Sequence, residues 1–345
     1  MKKVSIDPIT RLEGHGKIEI FVDDNGEVAN VYFQVPELRG FERFCIGRPV
    51  EELARITPRI CGVCPEAHHM AAAKAIDACY GAEPTRTGKM LREILYNAFT
   101  AGDHTTHFFV LAGPDFVVGP MADPAERNIL GVVAKVGPEI GGEVIKMRAW
   151  SHELIEIIGG RSVHPVSVVP GGVSKPLSKE EAERVREIAD YQVAFAQQAI
   201  EIFNQIVLGN SAYVDLIMSD MYAHKTYYMG MVDENNKINV YDGQIRVVDP
   251  DGKEFVRFEG KDYLDHIAER VEPYSYLVYP YLKGVGWKGF VDGKESGVYR
   301  AAPLARVNAA DGMATPLAQA EYERMFETLG GKPVHATLAT HWARL

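Results

Sequence analysis

Cysteine is scarce in this sequence: Cys45, Cys61, Cys64 and Cys79 are the only four in 345 residues, too few for a disulfide scaffold at this length. No run approaches the roughly 20 consecutive apolar residues that a bilayer-spanning helix needs. The opening Met1-Lys2-Lys3-Val4-Ser5-Ile6-Asp7-Pro8 carries two lysines but no apolar stretch behind them, so it does not read as a secretory leader. Positive charge is also short. Lys and Arg total 37 against 47 Asp and Glu, and the formal charge of −10 argues against nucleic acid or an anionic membrane as the main partner. Internal repeats, low-complexity tracts and an obvious linker are absent too. With no leader, the expected compartment is the reducing cytoplasm, where closely spaced cysteines serve metals or redox chemistry more often than structural disulfides. What is present, 46% hydrophobic and 24% charged residues, is an ordinary globular composition.

The hydrophobic periodicity predicts a mixed α+β chain, mainly α. Residues Lys17–Val35 read as a β-hairpin turning at Asp23-Asp24-Asn25-Gly26. Helices are predicted over Ala67–Cys79, Thr87–Leu111 and Pro138–Ile158, the second so poor in charge that it reads as buried. The segment Arg161–Gly172 is too rich in Pro and Gly for either regular structure. Ser178-Lys179-Glu180-Glu181 then has capping-box spacing and opens a helix expected to run to Val207. A small β insert follows, turning at Asp249-Pro250-Asp251-Gly252, and two helices are predicted at 315–329 and 333–345. The expected organisation is one domain over 1–345. It has a β region at about 1–40, a buried helical core at about 41–230 and 310–345, and a β insert at about 236–300. The last ten residues keep a helical pattern and stop without Gly, Asn or Pro, which predicts further chain or a partner packed against them.

The strongest local feature is Arg59-Ile60-Cys61-Gly62-Val63-Cys64-Pro65-Glu66-Ala67-His68. Two thiols straddling a glycine at the mouth of a helix can face one metal, and the helix N-terminus and Arg59 favour the thiolate forms that ligate it. His68, four residues after Cys64 on the same helical face, is placed to hydrogen-bond that sulfur. On spacing alone three chemistries stay open: a metal site, a thioredoxin-like dithiol, and half of a zinc site. Cys45 and Cys79 read as small buried hydrophobes. His107 reads as a satisfied core histidine, and His164 as part of a rigid turn.

Further motifs occur in a fixed order around this pair: Arg11-Leu12-Glu13-Gly14-His15, Arg39-Gly40-Phe41-Glu42, Asp103-His104-Thr105-Thr106-His107, Gly159-Gly160-Arg161 with His164-Pro165, Tyr299-Arg300 with Pro303-Leu304-Ala305-Arg306, and His341-Trp342-Ala343-Arg344-Leu345. Together they resemble the large subunits of nickel–iron hydrogenases, most closely the cytoplasmic methyl-viologen-reducing, F420-non-reducing type. The resemblance implies reversible oxidation of H2 at a Ni–Fe centre whose iron carries carbon monoxide and cyanide. It implies Cys61 as a terminal thiolate on nickel, Cys64 as a bridge to iron, and Glu13 as a buried carboxylate that accepts the proton. Glu42 would ligate a magnesium or iron ion. Arg59, His68 and Asp103 would support the centre, Asp103 by pairing with an arginine expected beyond residue 345. Outside that family, Glu13 would read as a capping or salt-bridged turn residue, and Glu42 as an exposed partner of Arg39 or Arg43.

The family's second Cys-x-x-Cys pair does not occur, for no cysteine follows Cys79. The expected sources are a separate short polypeptide, a longer form of this chain, or neither, if the chain is a non-catalytic structural homologue that has lost the metal. Electrons would leave through iron–sulfur clusters in a small subunit, and the subgroup suggests heterodisulfide reductase as a further partner.

Overall fold

The computed structural model describes residues 1–345. Strand β1 (Lys2–Ile6) pairs antiparallel with β2 (Lys17–Val22), which pairs antiparallel with β3 (Val28–Gln34), so the expected hairpin is the inner part of a three-stranded sheet. The extra strand escapes a periodicity reading because every residue of β1 is exposed. Gly26 (φ 88°) closes the β2–β3 turn, and Asp23 accepts the Asn25 and Glu27 amides.

Short helices α1 (Phe41–Cys45) and α2 (Leu53–Ile56) and a 3₁₀ turn over Thr57–Ile60 lead to α3 (Pro65–Tyr80), which starts with proline at its first position and ends at left-handed Gly81. Helix α4 (Arg86–Thr106) widens into π-type turns over His107–Ala112 and Pro114–Val118. Helices α5 (Ile129–Val136), α6 (Pro138–Gly159), α7 (Lys179–Phe203) and α8 (Ser211–Met218) complete the bundle. The capping box at Ser178 and Glu181 forms as the spacing predicts. Between α6 and α7, where no regular structure is expected, β4 (Val168–Val169) and β5 (Gly172–Val173) make a minimal hairpin. It is held by the side chain of Arg92 rather than by any pattern of its own.

Strands β6 (Tyr227–Val232), β7 (Gln244–Val248) and β8 (Glu254–Phe258) form a four-stranded sheet in which the distant strand Tyr299–Arg300 pairs parallel with β6. The sheet therefore begins at Tyr227, ahead of the expected insert at about 236. Helix Pro316–Thr328 matches expectation, but the predicted helix at 333–345 shrinks to Thr340–Arg344. The start of that stretch is held extended: Ala336 bridges Ala223, and Asn308 bonds both the amide and the carbonyl of Val334.

Two apolar clusters fill the bundle. One joins the π-type turns of α4 to α7 and Trp342 (Phe108, Phe203 and Leu304 among others), and the other joins α3, α4 and α6 through Met70, Leu95 and Ile158. Between them α4 and α6 touch closely. A Cβ on Gly102 would lie 2.9 Å from Ser151 Cβ, so only glycine permits that approach. Nearer the start of α4, Arg92, fully buried, is the polar lock of the bundle. Its Nη1 reaches Asp77 Oδ2 at 2.5 Å, Nε donates to Gly172 O at 3.0 Å, and Nη2 donates to Val169 O at 2.8 Å. The Gly171 amide closes the network on Asp77 Oδ1 at 2.8 Å.

Candidate metal centre

The turn Cys61–Cys64 sits between the 3₁₀ segment and the first turn of α3. Its two sulfurs touch, with Cα atoms 5.5 Å apart, and the Cys64 amide donates to Cys61 Sγ at 3.0 Å. Ligand atoms of Cys61, Cys64 and His68 all lie within 4.8 Å of one another. Two soft sulfur donors and an imidazole fit a nickel–iron pair, and the positive end of α3 favours their anionic forms. Burial holds the His68 imidazole below its ordinary pKa, so it stands neutral beside the sulfurs.

Glu13 reaches this turn from the loop before β2. Cys61 Sγ lies 3.4 Å from its Oε1. The loop is anchored by Arg11, which sits in the left-handed region (φ 57°) and pairs with Asp115 at 2.8 Å. The carboxylate is exposed rather than buried.

The buried acid of the site is Glu66, for which the sequence gives no signal. An acidic residue in a helix's first turn ordinarily reads as a partner of the helix dipole, and only packing shows that this one is enclosed. Burial raises its carboxyl to about 7, against the stabilising effect of its own backbone amide, and nearby Asp103 adds to the rise. Glu66 and Asp103 line a cavity of about 90 Å³ behind Gly62 and Val63, together with Thr106, Arg148 and His152. Asp103 is raised by burial and opposed by Arg344, whose Nη1 lies 3.6 Å away. Within these residues its cation partner is Arg344.

The remaining expected residues stand apart. Glu42 is exposed and pairs with Arg39, and its own backbone N–H and that guanidinium hold its carboxyl below the ordinary range. Arg59 makes no contact with the cysteines and lines a separate cavity with Arg55 and Arg161. Cys45 is half-buried and Cys79 exposed, not core residues, because both fall on outer faces of helical segments. His69, adjacent to His68, is structural: Nδ1 lies 2.7 Å from Ala54 O, and Nε2 accepts the Val168 amide at 3.2 Å. His107 is not satisfied, for its Nδ1 has no partner, and its ring stacks on His341 at 5.5 Å.

Comparison with known proteins bears on the family and the fold. A HoxL-like family profile matches residues 3–38, and the profile of the nickel-dependent hydrogenases matches residues 39–130. An iron-sulfur subunit of the F420-non-reducing hydrogenase of Archaeoglobus profundus is 46% identical over 344 residues, covering 100% of this chain and 71% of the relative. The chain belongs to the nickel-dependent hydrogenase family. A vhu subunit of the F420-non-reducing hydrogenase of Methanocaldococcus jannaschii is 43% identical, with 100% and 79% covered. The NAD-reducing hydrogenase HoxS subunit beta of Cupriavidus necator is 36% identical, with 99% and 70% covered.

Among solved structures, an NAD+-reducing [NiFe]-hydrogenase in its H2-reduced state superposes with a TM-score of 0.91 at 34% identity, over 100% of this chain and 74% of the other. The [NiFeSe]-hydrogenase of Dm. baculatum gives 0.73 at 25%, over 99% and 76%. The fold expected from the sequence is therefore that of a hydrogenase large subunit, and the chain is a catalytic subunit of that nickel–iron type. No helix of this hydrogenase chain is long and apolar enough to cross a membrane.

Proposed function

We propose that Cys61 and Cys64 would hold a nickel–iron centre as thiolates, Cys61 toward nickel and Cys64 shared with iron, and that Glu13 would take the proton of H2 oxidation. The observation that carries this reading is the approach of Glu13 Oε1 to within 3.4 Å of Cys61 Sγ. When bound, the centre supplies the two-electron chemistry of dihydrogen, its iron carrying carbon monoxide and cyanide that no residue provides.

The chain's own residues then divide the work. A proton on Cys61 Sγ passes to Glu13 Oε1, the nearest carboxylate oxygen to that sulfur. The Cys64 amide and the N-terminus of α3 stabilise negative charge on Cys61. Neutral His68 orients the sulfurs without adding charge. Arg59 adds positive charge to the segment entering the turn, and Asp103, steadied by Arg344, borders the cavity behind it. Glu42 is the hard oxygen ligand for a magnesium or iron ion, which requires it to release Arg39.

The two remaining thiolates come from a second Cys-x-x-Cys outside these 345 residues, on a separate peptide or on further chain. Electrons leave to an iron–sulfur small subunit, with heterodisulfide reductase as a further acceptor, in the cytoplasm. A metal-free scaffold is disfavoured by the gathered donor set of Cys61, Cys64 and His68. The test is the native complex carrying Glu13→Gln. Nickel content and the carbon monoxide and cyanide infrared bands should persist while H/D exchange with H2 is lost. Retained exchange removes Glu13 from the proton path, and absent bands in the wild type remove the metal reading altogether.

A further inference from the structure

Glu13 has no side-chain partner except the Cys61 sulfur 3.4 Å from its Oε1, so its place beside the metal-ligand turn is set by the loop that carries it. That loop, residues 7–16 between β1 and β2, is closed by the Ile9 amide, which donates to Gly16 O at 2.9 Å. Apart from Glu13, Arg11 is the only residue in it whose side chain makes a polar contact with the helical bundle. Its Nη1 donates to Leu111 O at 3.4 Å and pairs with Asp115 Oδ2 at 2.8 Å. Both partners lie on the π-type turns that extend α4. Widened turns of this kind are frequent at functional sites.

Arg11 holds a left-handed backbone (φ 57°), and a residue other than glycine keeps that conformation only where its surroundings enforce it. Asp115 supplies the enforcing charge. A second guanidinium fastens the clamp from the other side. Arg127 Nη1 lies 3.7 Å from Asp115 Oδ1 and donates to Pro120 O at 3.1 Å. Asp115 Oδ1 is buried and accepts no hydrogen bond, which leaves the charge of Arg127 as its compensation. The side chains of Arg11, Asp115 and Arg127 are all more than half covered, so solvent screens these pairs less than it would on an open surface.

We propose that Asp115 is a positioning residue for proton transfer: through Arg11 it fixes the loop that brings Glu13 Oε1 to the Cys61 sulfur. The inference rests on the reading above that Glu13 takes the proton of H2 oxidation. In that step the proton leaves Cys61 Sγ and joins Glu13 Oε1, so any shift of the loop lengthens the distance the proton must cross. Asp115 itself bonds to none of Cys61, Cys64 and Glu13 and takes no proton in the step. One helical run, α4 with its π-type turns, thus carries both Asp103, at the cavity behind the metal-ligand turn, and Asp115, at the clamp of the Glu13 loop.

The test uses the native complex carrying Asp115→Ala, Asp115→Glu or Arg11→Gln, with Glu13→Gln in parallel. Asp115→Ala should slow H/D exchange with H2 by on the order of tenfold or more while the KM for H2 stays within about twofold of wild type. The solvent deuterium isotope effect on kcat should rise, because proton transfer has become the slow step. Asp115→Glu keeps the carboxylate and should recover most of the rate. Arg11→Gln breaks the same pair from the loop side and should reproduce Asp115→Ala, which decides the matter if the latter fails to fold. Amide exchange over residues 9–14, read by mass spectrometry, should quicken in Asp115→Ala and Arg11→Gln but not in Asp115→Glu. Nickel content and infrared bands equal to wild type establish that the variants load. H/D exchange with H2 within twofold of wild type in Asp115→Ala and Arg11→Gln overturns the proposal. So does a loss that leaves the isotope effect and the loop amides unchanged, since Asp115 would then serve only the π-type turn. A Glu13→Gln complex that still exchanges overturns the proton reading itself, and the loop amides of Asp115→Ala separate that result from a clamp that holds nothing.

Discussion

Replacing Arg92 by methionine should cost the fold more than any surface change near the site. Arg92 is fully buried, and its removal leaves Asp77 enclosed without its cation at 7% exposure. It also strips the carbonyls of Val169 and Gly172 of their donors. Breaking a buried ion pair from one side costs about 3–5 kcal/mol, because the surviving charge is neither solvated nor paired. For a chain of this size each kcal/mol moves the thermal midpoint by roughly 2 °C, so a fall of about 6–10 °C is expected. The assay is calorimetry or circular dichroism on the metal-free chain, with Asp77→Leu and the double variant in parallel. If the pair is the cause, the double variant lies well above the sum of the singles, because no charge is left behind. It stays below wild type, since the Gly171 amide and two carbonyls remain unpaired. A midpoint shift under about 2 °C for Arg92→Met, or strict additivity in the cycle, refutes the argument.

Three further outcomes follow from the same structure. Cys64→Ala should leave nickel near zero per purified chain by mass spectrometry, with the thermal midpoint of the metal-free protein little changed; normal nickel would take Cys64 out of the ligand set. Burial and the charge of Arg344 hold His107 and His341 down at about 4, so the unfolded chain binds protons that the folded one refuses. Stability is then full above about pH 6.5 and lost as pH falls toward about 4, by up to ~1.4 kcal/mol per pH unit per histidine. His107→Phe keeps the ring stack and should weaken the loss between about pH 7 and 5, and an unchanged loss counts against it. Ser178→Ala removes the capping box of α7 and should cost about 1 kcal/mol, read as faster amide exchange in its first turn.

The parts of the site that are local could be read from the residues alone. The helix opening at Pro65, the position of His68 one turn beyond Cys64, and the Ser178 cap all depend on residues within a few positions of one another. Long-range packing was not legible. Glu66 reads as a first-turn acid from sequence alone, and only the approach of α4 makes it the enclosed carboxyl of the site. Glu13 differs the other way: its motif implies burial, and within these 345 residues it is exposed. The extended stretch before Thr340 failed as a helix because Asn308 and Ala223, far away in sequence, capture its backbone. The arginine cavity likewise draws Arg55 and Arg161 together from opposite sides of four helices.

Gly102 sets a tolerance that no ligand provides. Asp103, the next residue along α4, faces Glu66 across the small cavity, and the separation of those two carboxyls depends on how near α4 lies to its neighbours. At Gly102 that spacing is a backbone resting on Ser151 with a single hydrogen between. A methyl group there would act as a shim, lifting the helix and displacing Asp103 with it. The alignment of the acids behind the metal-binding turn is thus gauged by a missing side chain, a position that itself does no chemistry.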